Sequence, residues 1–327
     1  MKFLRTLIIF AAVALISSCR GPEYRTARGG VWNTLYNITY QSDRDLDDSI
    51  MAVMRRVEMS LSPFAGESLI SRINRGDTVV ADSLVTWVFL ESKLVNALSD
   101  GAFDPTVAPL VNLWGFGYKP GDPEPSQQKI DSLLALVGID SCRLEGDMIV
   151  KKHPLTEFNF SAITKGYGCD LVGEMLSRNG VANYLVEIGG EIAARGVSQR
   201  GRKWRVGIDA PSEENGVPRH DRLTTIEITD CGVATSGNYR NWRETGQGKA
   251  WHTISPTTGR PALTDLLSAT VIAPTCMLAD ALATACMAMN EREALEMIEG
   301  LDGVECILVT KKGVTRSKGA NRIAAGD

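Results

Sequence analysis

The chain has 327 residues, with 35 Lys and Arg against 39 Asp and Glu, so its formal net charge is −4 at pH 7. No basic stripe is present, and this argues against a nucleic-acid partner. The length allows one large domain or two, with a substantial buried core.

The N-terminus is typical of a bacterial targeting segment. Lys2 and Arg5 precede an apolar stretch over residues 7–16, which is too short to span a bilayer. The next residues, Ile16-Ser17-Ser18-Cys19, match the cleavage box of a bacterial lipoprotein, in which Cys19 becomes the lipidated first residue of the mature protein. An ordinary signal peptide that happens to contain a cysteine is the alternative.

These features predict the domain organisation. We expect a lipoprotein signal peptide over residues 1–18, a lipidated Cys19 followed by a polar tether over 19–30, and one folded domain over 31–327. The mature protein would then be attached to a membrane through the lipid on Cys19.

The folded region begins with helices and continues mainly with strands. Apolar residues at helical spacing predict helices over 45–61, 83–99, 126–137 and 163–179. A hairpin is predicted over 143–150, and short strands over 184–188, 191–196, 204–208, 224–229, 269–273 and 305–310. Two more helices, one carrying Asp280 and one near 292–299, interrupt these strands. The pattern predicts an α+β fold with helices packed on a mixed or antiparallel sheet.

The cysteines indicate neither a zinc site nor a redox motif. Six remain after Cys19, and they contain no CxxC pair. Disulfides are possible outside the cytoplasm, but the spacing does not define a pairing. With only three histidines in the chain, a histidine-based metal site is not expected.

Asp280 and Thr284 are the most informative pair of residues. Positions i and i+4 lie on one face of a helix, so this carboxylate and this hydroxyl would point to the same place. Hard oxygen ligands in small number suit Mg²⁺, which keeps room for substrate phosphates. The alternative is that Asp280 only offsets the helix dipole while Thr284 packs against its neighbours.

Two further segments have the composition of ligand-binding loops. Residues 101–117 combine glycines, prolines and the aromatic residues Phe103, Trp114 and Phe116, and such a loop can hold a flat ring or form a packed corner. Residues 159–168 lead into a helix whose first N–H groups, together with Lys165, would attract a phosphate. The alternative is that Lys165 is a solvated residue on the surface of the helix.

His252 is a candidate proton acceptor, since histidine titrates nearest to neutral pH. A histidine that only donates a hydrogen bond to a backbone carbonyl is the alternative.

Taken together, these segments resemble the ApbE family of FAD:protein FMN transferases. Seven motifs carry the resemblance in order: LSPF with SLISRIN at 61–74, GAFDPTVAPLVNLWGFG at 101–117, AITKGYGCD at 162–170, LVEIGGEI at 185–192, ATSGNYR at 234–240, HTISPTTGRP at 252–261 and ADALAT at 279–284. They span nearly the whole predicted mature chain. Family members are often bacterial lipoproteins facing the periplasm, which agrees with the box at Cys19.

The resemblance implies a function. The enzyme would bind FAD as its substrate, cleave the pyrophosphate with Mg²⁺, and attach FMN to a threonine or serine hydroxyl of a partner protein, with release of AMP. The expected acceptors are subunits of membrane redox complexes.

The resemblance also assigns residues to roles. The metal ligands would be the Asp280 carboxylate, the Thr284 hydroxyl and the backbone carbonyl of Ala162, and the catalytic base would be His252. The flavin-nucleotide site would comprise Trp32, Phe64, Ala102, Phe103, Asp104, Asn159, Lys165 and Ile254.

Several positions depart from the family pattern. Ala283 replaces an acidic residue that serves as a further metal ligand in some relatives. Asn159 and Ser255 stand where aspartate is common, and Trp32 with Asn33 replaces a Met-Gly pair.

Two other functions fit the same residues. An FAD pyrophosphatase would use water in place of the acceptor hydroxyl and yield FMN and AMP. A non-catalytic flavin-binding lipoprotein would hold flavin on the aromatic loop, but simple flavin binding needs no hard cation, and the Asp280–Thr284 pair weighs against it.

Overall fold

The structure is a computed structural model that describes residues 23–122, 124–214, 217–219, 221–238, 242–245 and 248–323. Its described helices are α1 (Asp47–Leu61), α2 (Leu69–Arg75), α3 (Ser83–Leu98), α4 (Ala108–Leu113), α5 (Gln127–Leu134), α6 (Ser161–Arg178), α7 (Cys276–Met287) and α8 (Glu291–Glu299). Among the described residues, no helix is both long enough and apolar enough to cross a bilayer.

Eight strands form one sheet. In spatial order they are β1 (Tyr24–Val31), β2 (Thr34–Gln41), β5 (Tyr184–Ile188), β6 (Glu191–Arg195), β11 (Cys231–Gly237), β14 (Leu266–Ala273), β15 (Glu305–Thr310) and β16 (Gly313–Arg316). Every neighbouring pair is antiparallel. The predicted α+β class is therefore confirmed, and the sheet is antiparallel rather than mixed.

Four two-stranded ribbons complete the described strands. They are β3 (Arg143–Glu145) with β4 (Met148–Val150), β7 (Trp204–Asp209) with β10 (Arg222–Ile228), β8 (Ser212–Glu214) with β9 (Val217–Arg219), and β12 (Trp242–Thr245) with β13 (Gly248–Trp251).

The large sheet is covered on both faces. Small and branched residues such as Val186, Ala193 and Val271 face α6 and α7. Their neighbours along the strands, Ile192 and Ile272 among them, face the β7–β10 ribbon instead. This alternation is the period-2 pattern of strands buried on both sides, and it fixes which side chains point toward the helices.

The fold begins earlier than the sequence predicted. Residues 24–30, which we assigned to the tether, belong to the edge strand β1 and pair with β2 from Tyr24 opposite Gln41 to Val31 opposite Thr34. In β1 the only fully buried side chain is Ala27, so the strand carries almost no hydrophobic signal. Main-chain hydrogen bonds hold it in place, and composition does not reveal them. Residues 1–22, with Cys19 and its cleavage box, lie outside the described part of the chain.

The N-terminus of α7 packs closely against both α6 and the sheet because a glycine lies on each side of it. A Cβ on Gly166 of α6 would lie 2.3 Å from the Cys276 carbonyl oxygen, and a Cβ on Gly232 of β11 would lie 2.2 Å from the Cys276 nitrogen. Asp170 of α6 accepts hydrogen bonds from the Cys276 and Met277 N–H groups, at 2.9 and 2.8 Å. The start of α7 is therefore fixed between α6 and the sheet.

Gly166→Ala should lower the free energy of unfolding by about 1 to 3 kcal/mol, because an added methyl forces two packed backbones apart. Urea unfolding measures the change. Gly66→Ala is the matched control, since a Cβ on Gly66 meets nothing within 4 Å. Equal stability of the two variants would contradict the close contact between α6 and α7.

Candidate active site

A cavity of about 370 Å³ lies where α6, α7 and the turn between β5 and β6 meet. Ten of the predicted site residues line it: Ala102, Phe103, Asp104, Asn159, Ala162, Lys165, His252, Ile254, Asp280 and Thr284. Segments far apart in sequence thus converge on one place.

Asp280 connects the two central helices. Its side chain is buried, with the residue 2% exposed, and Oδ2 accepts a hydrogen bond from the Gly166 N–H at 3.0 Å. In a regular α-helix that N–H donates to the carbonyl four residues earlier, which is the carbonyl of Ala162. A carbonyl oxygen has two lone pairs, so the Ala162 carbonyl can accept a helical hydrogen bond and still hold another partner.

Thr284 follows one turn later on α7, as the i, i+4 spacing predicted, and it lines the same cavity. Its hydroxyl lies 3.3 Å from the hydroxyl of Ser236, at the end of β11. Ser236 is therefore placed to orient the Thr284 hydroxyl.

Lys165 enters the cavity from the first turns of α6. Its Nζ lies 2.5 Å from Glu191 Oε1 and 3.9 Å from Asp280 Oδ1. Burial alone lowers the pKa of Lys165, but the charges of Asp280 and Glu191 outweigh it and raise the pKa. The Lys165 side chain therefore stays protonated and positively charged near neutral pH.

The pKa values of the two buried carboxyl groups are raised as well, but by burial rather than by neighbouring charges. Burial raises the pKa of Glu191 to about 7, with the ammonium of Lys165 opposing the shift. Burial also raises the pKa of Asp280, opposed by Lys165 and by the Gly166 N–H. Both shifts have the same main cause, because burial removes the water that would stabilise the charged form of each acid.

The loop at 102–104 forms another wall. Asp104 is buried, and its carboxylate accepts hydrogen bonds from the Thr106 and Ile139 N–H groups, at 2.8 and 3.0 Å. Its role in the structure is therefore to hold the loop. Asn159 Oδ1 accepts from the Ser161 N–H at 3.0 Å, which orders the entry to α6.

His252 and Ile254 come from the segment that follows β13. Ile254 is buried and forms a bridge with Pro261. The His252 ring is half-buried and meets the edge of Phe116, with 6.5 Å between ring centroids. Phe116 thus belongs to the environment of the histidine.

Trp32 and Phe64 do not line this cavity. Trp32 occupies the turn between β1 and β2 with a φ of +49°, and its ring packs against Gly168, where a Cβ would lie 2.5 Å away. Phe64 is 64% exposed and contacts the Tyr118 ring. Their assignment to the flavin site stays a prediction. Arg240, in the ATSGNYR motif, lies outside the described residues.

Two residues that the sequence did not single out also belong to the site: Glu191, which pairs with Lys165, and Ser236, which lies beside Thr284. Glu191 follows the Gly189-Gly190 turn and is 3% exposed. Its register opposite Ile188 turns it toward the helices. A charged residue directly after a diglycine turn was the available signal, but only the strand pairing shows which face it occupies.

The fold and this cavity define an α+β protein with a candidate active site in which carboxyl and hydroxyl groups lie beside Lys165. The ApbE family matches residues 32–308 of the chain. A FAD:protein FMN transferase of Vibrio cholerae serotype O1 is 35% identical over 304 residues, covering 90% of each chain. One of Haemophilus influenzae is 33% identical, covering 98% of this chain and 97% of its own.

Solved structures agree with this match. The flavin transferase ApbE from Vibrio cholerae superposes with a TM-score of 0.82 at 32% identity, over 92% of this chain and 99% of the other. The apo form of Pseudomonas stutzeri flavinyl transferase ApbE gives a TM-score of 0.83 at 30% identity, over 95% and 100%. This chain belongs to the ApbE family, and the predictions of that family and of a transferase are confirmed.

Proposed function

We propose that this protein is a Mg²⁺-dependent FAD:protein FMN transferase. It cleaves the pyrophosphate of FAD, attaches FMN through a phosphoester to a threonine or serine hydroxyl of a partner protein, and releases AMP. The observation that carries this proposal is the convergence of Asp280, Thr284, Ala162 and Lys165 in one cavity beside the 102–104 loop. The names of the relatives support the same reaction.

The residues of the cavity fit a small divalent cation. Asp280 and Glu191 are both buried, while Lys165 is the ammonium group that contacts them. When both acids are ionised, the group is one positive charge short, and this favours either a proton on one acid or a bound cation. A carboxylate, a hydroxyl and a carbonyl are the hard donors that Mg²⁺ takes, with water or phosphate completing its shell.

The ligand set is sparse. Among the described residues, no group of three or more His, Cys, Asp or Glu side chains could hold a metal ion. Ala283, buried on α7, supplies no side-chain ligand. We infer that Asp280 is the single carboxylate ligand, so the substrate phosphates must complete the coordination.

The reaction is a substitution at phosphorus. The acceptor hydroxyl oxygen forms a bond to the FMN-side phosphorus, the bond from that phosphorus to the bridging oxygen breaks, and AMP leaves with the bridging oxygen. Bound Mg²⁺ would neutralise charge on the phosphate oxygens. Lys165 adds a fixed positive charge at the same place, and His252 accepts the proton of the attacking hydroxyl.

We further propose that the enzyme is anchored at the periplasmic face of a bacterial membrane by a lipid on Cys19. The lipoprotein box supports this, and redox-complex subunits in the membrane would be suitable acceptors. If so, washed membranes from cells with the wild-type chain should carry the enzyme, and those with Cys19→Ser should not.

The direct test is the mass of an acceptor protein incubated with FAD and Mg²⁺. We expect an increase by one FMN, lost when the acceptor threonine or serine is replaced, and one AMP released per FMN attached. Asp280→Asn should abolish the product because the variant lacks the carboxylate charge, whereas Asp302→Asn, at an exposed turn, should not. Release of AMP without a change in acceptor mass would instead show a pyrophosphatase, and FAD binding without AMP would show a carrier.

His252→Gln should reduce the transfer rate about 100- to 10,000-fold, the usual size of general-base assistance. FAD affinity, measured by flavin fluorescence in EDTA, should change little because the histidine acts on the acceptor hydroxyl. Loss of FAD affinity with a normal rate at saturating FAD would identify His252 as a binding residue instead.

A further inference from the structure

Glu191 is a buried acid at the cavity wall that the proposed reaction does not yet use. It is the first residue of β6, and its strand register places it on the helix-facing side with Ala193. Oε1 lies 2.5 Å from Lys165 Nζ. Oε2 is also buried and has no hydrogen-bond partner among the described residues. Glu191 therefore depends on Lys165 for the compensation of its charge.

Lys165 contacts its two acidic neighbours unequally. The distance to Glu191 is that of a hydrogen-bonded ion pair, whereas Asp280 Oδ1, at 3.9 Å, is beyond hydrogen-bond distance. Since Asp280 Oδ2 is occupied by the Gly166 N–H, Oδ1 is the oxygen left for a ligand in the cavity. Its availability depends on where the ammonium group lies.

We propose that Glu191 is a positioning residue for the metal site: it holds the Lys165 ammonium away from Asp280 and so keeps Asp280 Oδ1 available to a divalent cation. The proposal rests on the metal site of the proposed function. It assigns Glu191 no contact with the substrate.

Substitutions of Glu191 and Lys165 should not have additive effects on cation binding. Without the Glu191 charge, Asp280 is the carboxylate that remains within reach of the flexible lysine. An ion pair between them would compete with the cation for Oδ1. Removing the lysine as well removes the competitor, so a second substitution should restore what the first one lost.

The test is Mn²⁺ affinity of the full-length protein, followed by electron paramagnetic resonance without FAD and with FAD. Mn²⁺ serves as the probe because it accepts the same oxygen ligands as Mg²⁺. Glu191→Gln should weaken Mn²⁺ binding about 10- to 100-fold, the usual effect of losing a residue that orients a ligand. The double variant Lys165→Met with Glu191→Gln should return to near the wild-type affinity.

Glu187→Gln is the matched control. Glu187 lies on the neighbouring strand, opposite Ile192, and points to the other face of the sheet. The variant Glu187→Gln removes a negative charge nearby, but Glu187 is not one of the acids paired with Lys165. The Mn²⁺ affinity of this variant should therefore equal that of the wild type. A crystal structure of Glu191→Gln without metal should show Lys165 Nζ moved into contact with Asp280 Oδ1.

Each other outcome overturns a distinct claim. Equal Mn²⁺ affinity of the wild type and Glu191→Gln would refute the proposed role of Glu191 but would leave the metal site of the proposed function standing. Weak binding by both Glu191→Gln and the double variant, or an unmoved lysine in the crystal, would show that Glu191 acts through its charge or the fold rather than through the lysine. Absence of Mn²⁺ binding by the wild type would refute the metal assignment of the proposed function, and this proposal with it.

Discussion

The buried hydrogen bond between Asp280 and the Gly166 N–H is the interaction on which the site depends. It requires the backbones of α6 and α7 to be in contact, which glycine permits at position 166. The same contact brings Thr284 and Ala162 to one cavity. The Asp280 side chain thus couples the packing of the core to the arrangement of oxygen atoms in the cavity.

The charges of the cavity favour binding of a cation. Two buried carboxyl groups face one ammonium, so the cavity has more acids than bases to balance them. In the proposed function, a cation would balance the second acid, and the phosphates of FAD would share that cation. We propose that the position of Lys165, between Glu191 and Asp280, leaves the Asp280 carboxylate to the cation.

Much of the fold and part of the site could be predicted from the sequence. The long helices and central strands have strong apolar periodicity, so the predicted and observed bounds differ by only a few residues for α1, α3, α6, β5 and β6. The i, i+4 spacing placed Asp280 and Thr284 on one face, and both line the cavity. Local spacing on a helix is enough for such a prediction.

The remaining features depend on contacts between distant segments. Strand β1 was missed because its residues are polar and its order comes from pairing with β2. The ion pair of Glu191 with Lys165 could not be predicted, because the register of β6, and not the local composition, turns Glu191 toward the lysine. The placement of Trp32 against Gly168 likewise follows from the turn between β1 and β2, where two consecutive residues adopt positive φ.

In the proposed function, one acid, one hydroxyl and one carbonyl hold a divalent cation against the pyrophosphate of FAD. The most direct measurement is anomalous diffraction from crystals of the protein soaked with FAD and Mn²⁺. We expect an anomalous peak within bonding distance of Asp280 Oδ1, the Thr284 hydroxyl and the Ala162 carbonyl, with FAD phosphate oxygens in the same coordination shell. Bound FAD with its pyrophosphate remote from Asp280, and no peak at these three ligands, would contradict it.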